Sequence, residues 1–262
     1  MAWSSIATSL LTNRAVMAEQ HDPELYGEVV ADKYDVLYAD APETLPAVER
    51  LWELSQGGPV YELGVGTGRL ALPLAERGLE VHGTESSEMM VSKLRAKPHS
   101  EDIRVTIGDF SKVAPPGGPF ALAFLVFNTI FAVADTSTQI ACFELVSQQL
   151  RAGGRFVVEA FVIDPQDFRH GRAIEIRTMS AERVELQLAE YDAVQQKLHR
   201  VLLNVLDGEI KLHVANDTYA APRELDLMAR MAGLDLDQRW SDWKRAPFTS
   251  DSTRHVSVYK KR

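Results

Sequence analysis

Three glycines at alternate positions, Gly64, Gly66 and Gly68, lie between two acids, Glu62 just before them and Glu85 further on. They sit in Glu62-Leu63-Gly64-Val65-Gly66-Thr67-Gly68-Arg69, where an apolar run reads as a strand, the glycines as a turn and the next residues as a helix. Glycine is needed where backbone approaches a ligand closely or adopts positive φ. The helix start just beyond supplies N–H groups that lack intrahelical partners. Glu85 follows Gly68 by 17 residues, at the end of the next strand-like run. In doubly wound folds an acid at that place accepts hydrogen bonds from a ribose. Loop and acid together point to an adenosine-containing ligand.

Other nucleotide patterns fit less well. Gly66-Thr67-Gly68-Arg69-Leu70-Ala71 loosely follows the dinucleotide form, with Ala in the last place. Against it stand the acid two residues before Gly64 and a glycine spacing tighter than that form requires. A Walker loop is excluded, because neither Gly-Lys-Ser nor Gly-Lys-Thr occurs. The histidines His21, His82, His99, His170, His199, His213 and His255 include no pair at metal-ligand spacing, so no metal is expected. His82 lies in a core strand and reads as structural, while His255 and His170 are the weaker acid–base candidates. The single cysteine, Cys142, sits in the apolar run 140–146 and reads as a buried small hydrophobe. One cysteine forms neither an intrachain disulfide nor a cysteine zinc site.

Such residues need rigid elements to hold them. Strands are expected at 59–65, 79–85, 102–108, 119–127 and 154–162, each rich in Val, Ile, Phe and Leu and bounded by Gly, Pro or Asp. Between them lie helices from about Arg69 to Arg77, from Ser86 or Ser87 to Lys97, and from about Asp135 to Leu150, the last stopped by Gly153-Gly154. The second has a serine cap, Glu88 in its first turn and Lys93, Arg95 and Lys97 in its last, before Pro98. This alternation means a parallel sheet with helices on both faces. After Val162 the pattern becomes β-like at 172–179, 182–191, 195–206 and 209–219, with a hairpin signal at Asp207-Gly208. A helix over 222–233 and strands at 234–241 and 254–260 close the chain.

The fold expected is therefore α/β: a doubly wound, Rossmann-like seven-stranded sheet with an antiparallel β insertion after the fifth strand. The expected organisation is an N-terminal extension over 1–25, a core over 26–163 and 221–262, and the insertion over 164–220. The insertion either lids a pocket or pairs subunits, so a homo-oligomer is compatible with it. Asp and Glu outnumber Lys and Arg by 37 to 28, and a net charge of -9 argues against nucleic-acid binding. No apolar run is long enough to span a membrane. The first 18 residues carry only Arg14 as a charge, which is no signal-peptide start; a frayed terminus or a start at Met17 is expected, and a cytoplasmic location.

Glu62 to Gly68, followed by Val81-His82-Gly83-Thr84-Glu85-Ser86-Ser87-Glu88-Met89-Met90, resembles the first two motifs of class I S-adenosylmethionine-dependent methyltransferases. Gly108-Asp109-Phe110 and Phe127-Asn128-Thr129 resemble the ends of their third and fourth strands, and Arg254 to Tyr259 their last strand. Tyr34 to Asp40 resembles a tyrosine-containing N-terminal segment of the small-molecule, natural-product tailoring branch. The resemblance implies S-adenosyl-L-methionine as cofactor. It puts Gly64 and Gly66 at the methionine part, Glu62 near its amine, Glu85 on the ribose hydroxyls with Ser86 beside it, Met90 against the adenine, and Asp109 with Phe110 at the adenine amino group. Tyr26, Tyr34 and Phe131 would serve at the acceptor. Two departures stand out: Ala121 replaces an acid that many relatives carry, and Phe131-Ala132 stands where aminosugar relatives place a histidine.

Methyl transfer demands collinear placement of nucleophile, carbon and sulfur, a positional effect of about 7–11 kcal/mol. An amine that arrives neutral needs no base, whereas an alcohol benefits from one. The aromatic side chains expected at the acceptor would favour a developing ammonium. The expected reaction is thus methyl transfer to an amine nitrogen of a small secondary metabolite or aminosugar-like compound, as a general likeness to actinobacterial tailoring methyltransferases also implies. The alternatives are a small-molecule O-methyltransferase, a nicotinamide-dependent oxidoreductase, and a non-catalytic cofactor-binding protein. Trp240, Trp243 and Phe248 are further candidates for a pocket wall, although at least two of them are expected in the core or in a subunit contact.

Overall fold

The computed structural model describes residues 31, 34–35, 41–206 and 209–262. Its main sheet has seven strands, β1 (Val60–Leu63), β2 (Val81–Glu85), β3 (Ile103–Ile107), β4 (Phe120–Leu125), β5 (Leu150–Phe161), β10 (Leu234–Trp240) and β11 (Arg254–Lys261). They lie in the order β10-β11-β5-β4-β1-β2-β3. β1 to β5 pair in parallel, and β11 runs antiparallel between β5 and β10. β1 and β4 are buried along their whole length, as strands covered on both faces are; β4 reads as an unbroken apolar run, and β1 as one interrupted by Glu62.

Among the described residues, α-helices α1 (Thr44–Ser55), α2 (Ala71–Glu76), α3 (Glu88–Arg95), α4 (Thr136–Gln149) and α5 (Pro222–Met231) accompany this sheet. One core joins α1, α2 and Leu94 of α3 to one face of the sheet, and a second joins α4 and α5 to the other. α1 buries Ala47, Val48, Leu51 and Leu54, a one-face helical spacing that the sequence reading did not single out. α3 starts where its cap was expected, with Ser87 Oγ accepting from the Met90 N–H at 3.2 Å. In α4 Asp135 does the same for Thr138 N–H at 2.8 Å. Glu224 of α5 reaches back to the Ala221 N–H at 2.7 Å.

The Gly153-Gly154 pair does not stop α4. β5 begins at Leu150, directly after the helix, and its register with β4 jumps from Phe120↔Leu150 to Leu122↔Arg155. The extra residues form a bulge with Gly153 at φ 71°, so these glycines kink a strand rather than end a helix.

After β5, β6 (Arg172–Met179), β7 (Arg183–Asp192), β8 (Lys197–Leu206) and β9 (Glu209–Thr218) form a second, antiparallel sheet in sequence order. β8 and β9 pair down to Leu206↔Glu209; the Asp207-Gly208 step itself lies outside the described residues. The expected N-terminal extension over 1–25 also lies outside them. No described helix is long and apolar enough to cross a membrane.

Candidate functional site

The sheet order β4-β1-β2-β3 sets four parallel strands side by side, so their carboxyl ends share one rim. The strand order reverses about β1, the kind of place where open α/β sheets leave a crevice for ligands. Along that rim lie the glycine loop after β1, Glu85 at the end of β2, Asp109 after β3 and Phe127-Asn128 after β4. Backbone bonds knit the rim together: Gly64 N–H donates to Thr84 C=O at 2.8 Å, and Gly108 N–H to Glu85 C=O at 2.9 Å.

Within the loop the glycines answer different needs. Gly66 has φ 54°, and a Cβ there would meet nothing within 4 Å, so its backbone faces open space. Gly68, at φ 84°, is a packing glycine, because a Cβ would come 2.4 Å from Leu94 Cδ1. Glu85 braces the turn. Its carboxylate accepts from Gly66 N–H at 2.8 Å and from Ser87 N–H at 3.0 Å. Two oxygens offer about four acceptor sites, which leaves capacity for a vicinal diol. Burial raises the Glu85 pKa against the pull of those amides. Ser86 beside it is half-buried.

Glu62 is 5% exposed and, among the described residues, its Oε2 has no hydrogen-bond partner. Burial pushes its pKa up to about 8, opposed by the Arg69 guanidinium and reinforced by Glu85. An unpartnered buried carboxyl oxygen beside open glycine backbone suits a ligand that brings an ammonium group. Arg69 lies 5.1 Å over the Phe127 ring and donates to Thr44 Oγ1 at 3.1 Å.

Met90, 4% exposed, packs with Ala31 and the half-buried Tyr34. The neighbouring Asp35 accepts from Thr67 Oγ1 at 2.6 Å and from Lys97 Nζ at 2.8 Å, and Lys97 also donates to Thr67 C=O at 2.7 Å. A latch thus ties the segment before α1 to the glycine loop. Lys97 was read only as a helix-end charge. Burial works to raise Asp109, but Lys112 at 2.8 Å and two bonds from Ser111 hold it below the usual carboxylate range, as an ionised acceptor. Phe110 next to it is half-buried against the second core.

Phe127 and Asn128 follow β4 with φ of 61° and 66°, two successive left-handed residues without glycine. Glu159 of β5 holds them there. Its Oε2 accepts from Phe127 N–H at 3.1 Å, its carbonyl from Asn128 N–H at 3.1 Å, and its Oε1 from Trp243 Nε1 at 2.9 Å. Asn128 Oδ1 in turn accepts from Phe161 N–H at 2.7 Å. The sequence reading passed over Glu159, whose only outward sign was an acid within an apolar strand.

One expected contact changes, and the lesser candidates prove structural. Phe131 is fully buried, its ring edge-on to Phe161 at 4.8 Å and tilted to Tyr219 at 5.2 Å, so it packs within the second core instead of facing a ligand. His255 is also fully buried, its Nδ1 2.8 Å from Ser257 Oγ, and burial with nearby Arg239 pushes its pKa down to about 3, which removes it as an acid–base group. Trp243 packs inward onto Glu159 and Trp240 joins the first core, so both are core residues. Tyr26 lies outside the described residues. Cys142 is buried as expected, its thiol pushed up to about 12 by burial.

Where the second sheet meets this rim, Phe161 and Tyr219 stack with centroids 6.0 Å apart, and Tyr191 meets Tyr219 edge-on at 6.1 Å. Arg200 sits 5.4 Å over Phe161 while paired to Asp217 at 2.7 Å. The arrangement sets a bracing acid, a buried acid and open backbone on one rim, with an aromatic cluster under Arg200 at its edge.

Residues 60–154 match a family described as a methyltransferase domain. The chain is 35% identical to the CcbJ methyltransferase from Streptomyces caelestis, covering 92% of this chain and 99% of that one with a TM-score of 0.80. It is 25% identical over 246 residues to the cypemycin N-terminal methyltransferase of a Streptomyces species, 90% of this chain and 98% of that protein. An S-adenosylmethionine-dependent methyltransferase from Clostridium acetobutylicum shares the fold at 14% identity, covering 90% of this chain and 99% of that one with a TM-score of 0.74. Site geometry, fold and relatives agree, and the chain belongs to the S-adenosylmethionine-dependent methyltransferases.

Proposed function

We propose that this enzyme methylates an amine nitrogen of a small natural product, and that the rim residues divide the work as follows. Glu62 pairs with the cofactor's ammonium, Glu85 holds the ribose diol with Ser86 alongside, Met90 and Phe110 flank the adenine, and Asp109 accepts from its amino group. Gly64 and Gly66, which carry no side chain, let the backbone lie close against the methionine part. Bound there, the cofactor would supply a sulfonium methyl for displacement by an amine, whose proton would pass to solvent. Tyr34, close to Met90, then stands at the mouth of the acceptor site.

The observation that carries the choice of nitrogen is the aromatic wall of Phe161, Tyr219 and Tyr191 with Arg200 on its face. Aromatic faces stabilise a cation by about 0.5–2 kcal/mol, which favours an acceptor that becomes an ammonium. Of the histidines on the main sheet, His82 and His255 are both buried, so neither is aimed at an incoming hydroxyl. The cypemycin relative, by its name, methylates an N-terminus.

The test is transfer of labelled methyl to pairs of acceptors, each amine beside its hydroxyl counterpart. Label in amines alone is the expected result. Label in the hydroxyl members, with the amines inert, would replace this reading by O-methylation.

A further inference from the structure

The strand register of the second sheet sorts its side chains into two unlike faces. Residues in register share a face, and alternate residues along a strand share it too. One cross-strand row reads Ile176, Leu186, Leu203 and Leu212. The row on one side runs from Ile174 through Leu188 and Val201 to Val214. On the other side, a register shift in β6 brings Met179 opposite Val184, and that row continues through Val205 to Ile210. All twelve positions are aliphatic or Met, and none is buried. Ile174 is 72% exposed, Met179 75% and Ile210 66%. The opposite face is mixed and polar. It carries Arg200 and Tyr191, which turn toward Phe161 and Tyr219 at the candidate site. The apolar face therefore points away from the catalytic rim.

We propose that this apolar face is the contact between two copies of the chain, packed sheet on sheet about a two-fold axis. Four strands about 4.8 Å apart bearing three rows of side chains outline roughly 400 Å², and side chains such as Ile174, Ile176, Met179, Ile210, Leu212 and Val214, between 47% and 75% exposed, carry the accessible area well above that outline. A standard stable interface buries about 800 Å² per partner, and the largest apolar patch on an ordinary monomer is about 300–600 Å². Size thus fits a dimer. Charge fits it as well. Each copy carries a net charge of -9, yet the twelve residues carry none, so the face meets its own image without like-charge contact or buried ions. An isologous contact requires that self-complementarity, and two twisted sheets satisfy it in aligned packing about 10 Å apart. A bilayer is the poorer occupant, because the rows hold no aromatic or basic residue of the kind that seats proteins at headgroups.

The test is sedimentation velocity of the full chain across a range of concentrations, beside Ile176→Lys and Leu212→Lys. These positions are 60% and 57% exposed, so a lysine there is tolerated in the isolated fold. Leu45→Lys on α1, 72% exposed, is the control. The wild type and the control should sediment as dimers. Each face variant should raise the dimer dissociation constant by roughly 100-fold or more, because a two-fold contact buries its unpaired ammonium twice. Both variants should still be stabilised by S-adenosylhomocysteine. A monomeric wild type, a monomer taken up by phosphatidylcholine vesicles, or face variants that dimerise like wild type would overturn the proposal. Should a variant fail to fold, hydrogen exchange of the wild type decides. Protection of 172–218 that grows with protein concentration supports the contact, and protection independent of concentration rejects it.

Discussion

Glu62 places a carboxyl where ionisation is costly until a cation arrives, and its titration is therefore a reporter of the site. Its folded pKa of about 8 lies above the ordinary carboxyl value. Below that ordinary value both folded and unfolded states hold the proton. Between it and about 8 only the folded state does, so stability contributed by Glu62 is lost as pH rises through that window. Glu62→Gln should flatten this decline, with a midpoint about 5 °C higher at pH 8, since ~1 kcal/mol moves a domain of this size by ~2–4 °C. Cofactor binding should release a proton near neutral pH in the wild type and not in the variant, as titration calorimetry in buffers of different ionisation enthalpy would show. Glu85→Ala removes both the diol acceptor and the brace on Gly66, and S-adenosylhomocysteine affinity should fall by about 100-fold, the loss of two charge-assisted bonds. Unchanged affinity would remove Glu85 from the ribose. These acids were legible in the sequence because glycine spacing and strand ends locate them. Phe131 was misread as an acceptor contact because its burial depends on Phe161 and Tyr219, which arrive from 30 and 88 residues away.

At the level of elements, two devices hold the rim, and both are tertiary. The left-handed turn after β4 exists because β5 lies next to it and carries Glu159. Glu159→Ala leaves the Phe127 N–H and the Trp243 indole without their acceptor and should destabilise the fold by about 2–4 kcal/mol in urea denaturation. The latch of Asp35, Thr67 and Lys97 is partly exposed, so Lys97→Ala should weaken cofactor binding only about threefold at low salt and less at high salt. Neither device was legible, since each joins residues distant along the chain with no motif of their own. The elements themselves were. Caps and breakers marked α3, a continuous apolar run marked β4, and the glycines that follow marked the end of β1 despite Glu62 within it. The bulge at Gly153-Gly154 was not, because a glycine pair signals a helix end and a strand kink equally well.

Across the whole molecule, the proposed cofactor rim lies wholly on the main sheet, whereas the proposed acceptor wall also draws Tyr191 and Arg200 from the second, and binding should reveal that division. Saturating S-adenosylhomocysteine, at about 100 times its dissociation constant, should add ~2.7 kcal/mol of stability. Amide exchange should slow at 64–69, 85–87 and 109–111, while the exposed rows of β6 and β9 should not respond to it. Strong protection confined to the second sheet would contradict the assignment of the rim. The doubly wound order with its antiparallel insertion was readable from the change of pattern after Val162, because helices cease to alternate with strands there. The two sheets also differ in the span of chain they must close. β6 to β9 pair only with immediate neighbours, whereas β11 must find β5 some 93 residues upstream, from Phe161 to Arg254. Local hairpins form in microseconds, and distant pairings come later. During refolding the meander should therefore display its aliphatic rows while the sheet that bears the glycine loop is still incomplete. Chains that meet at that stage would associate before they are native, so recovery from denaturant should fall as protein concentration rises.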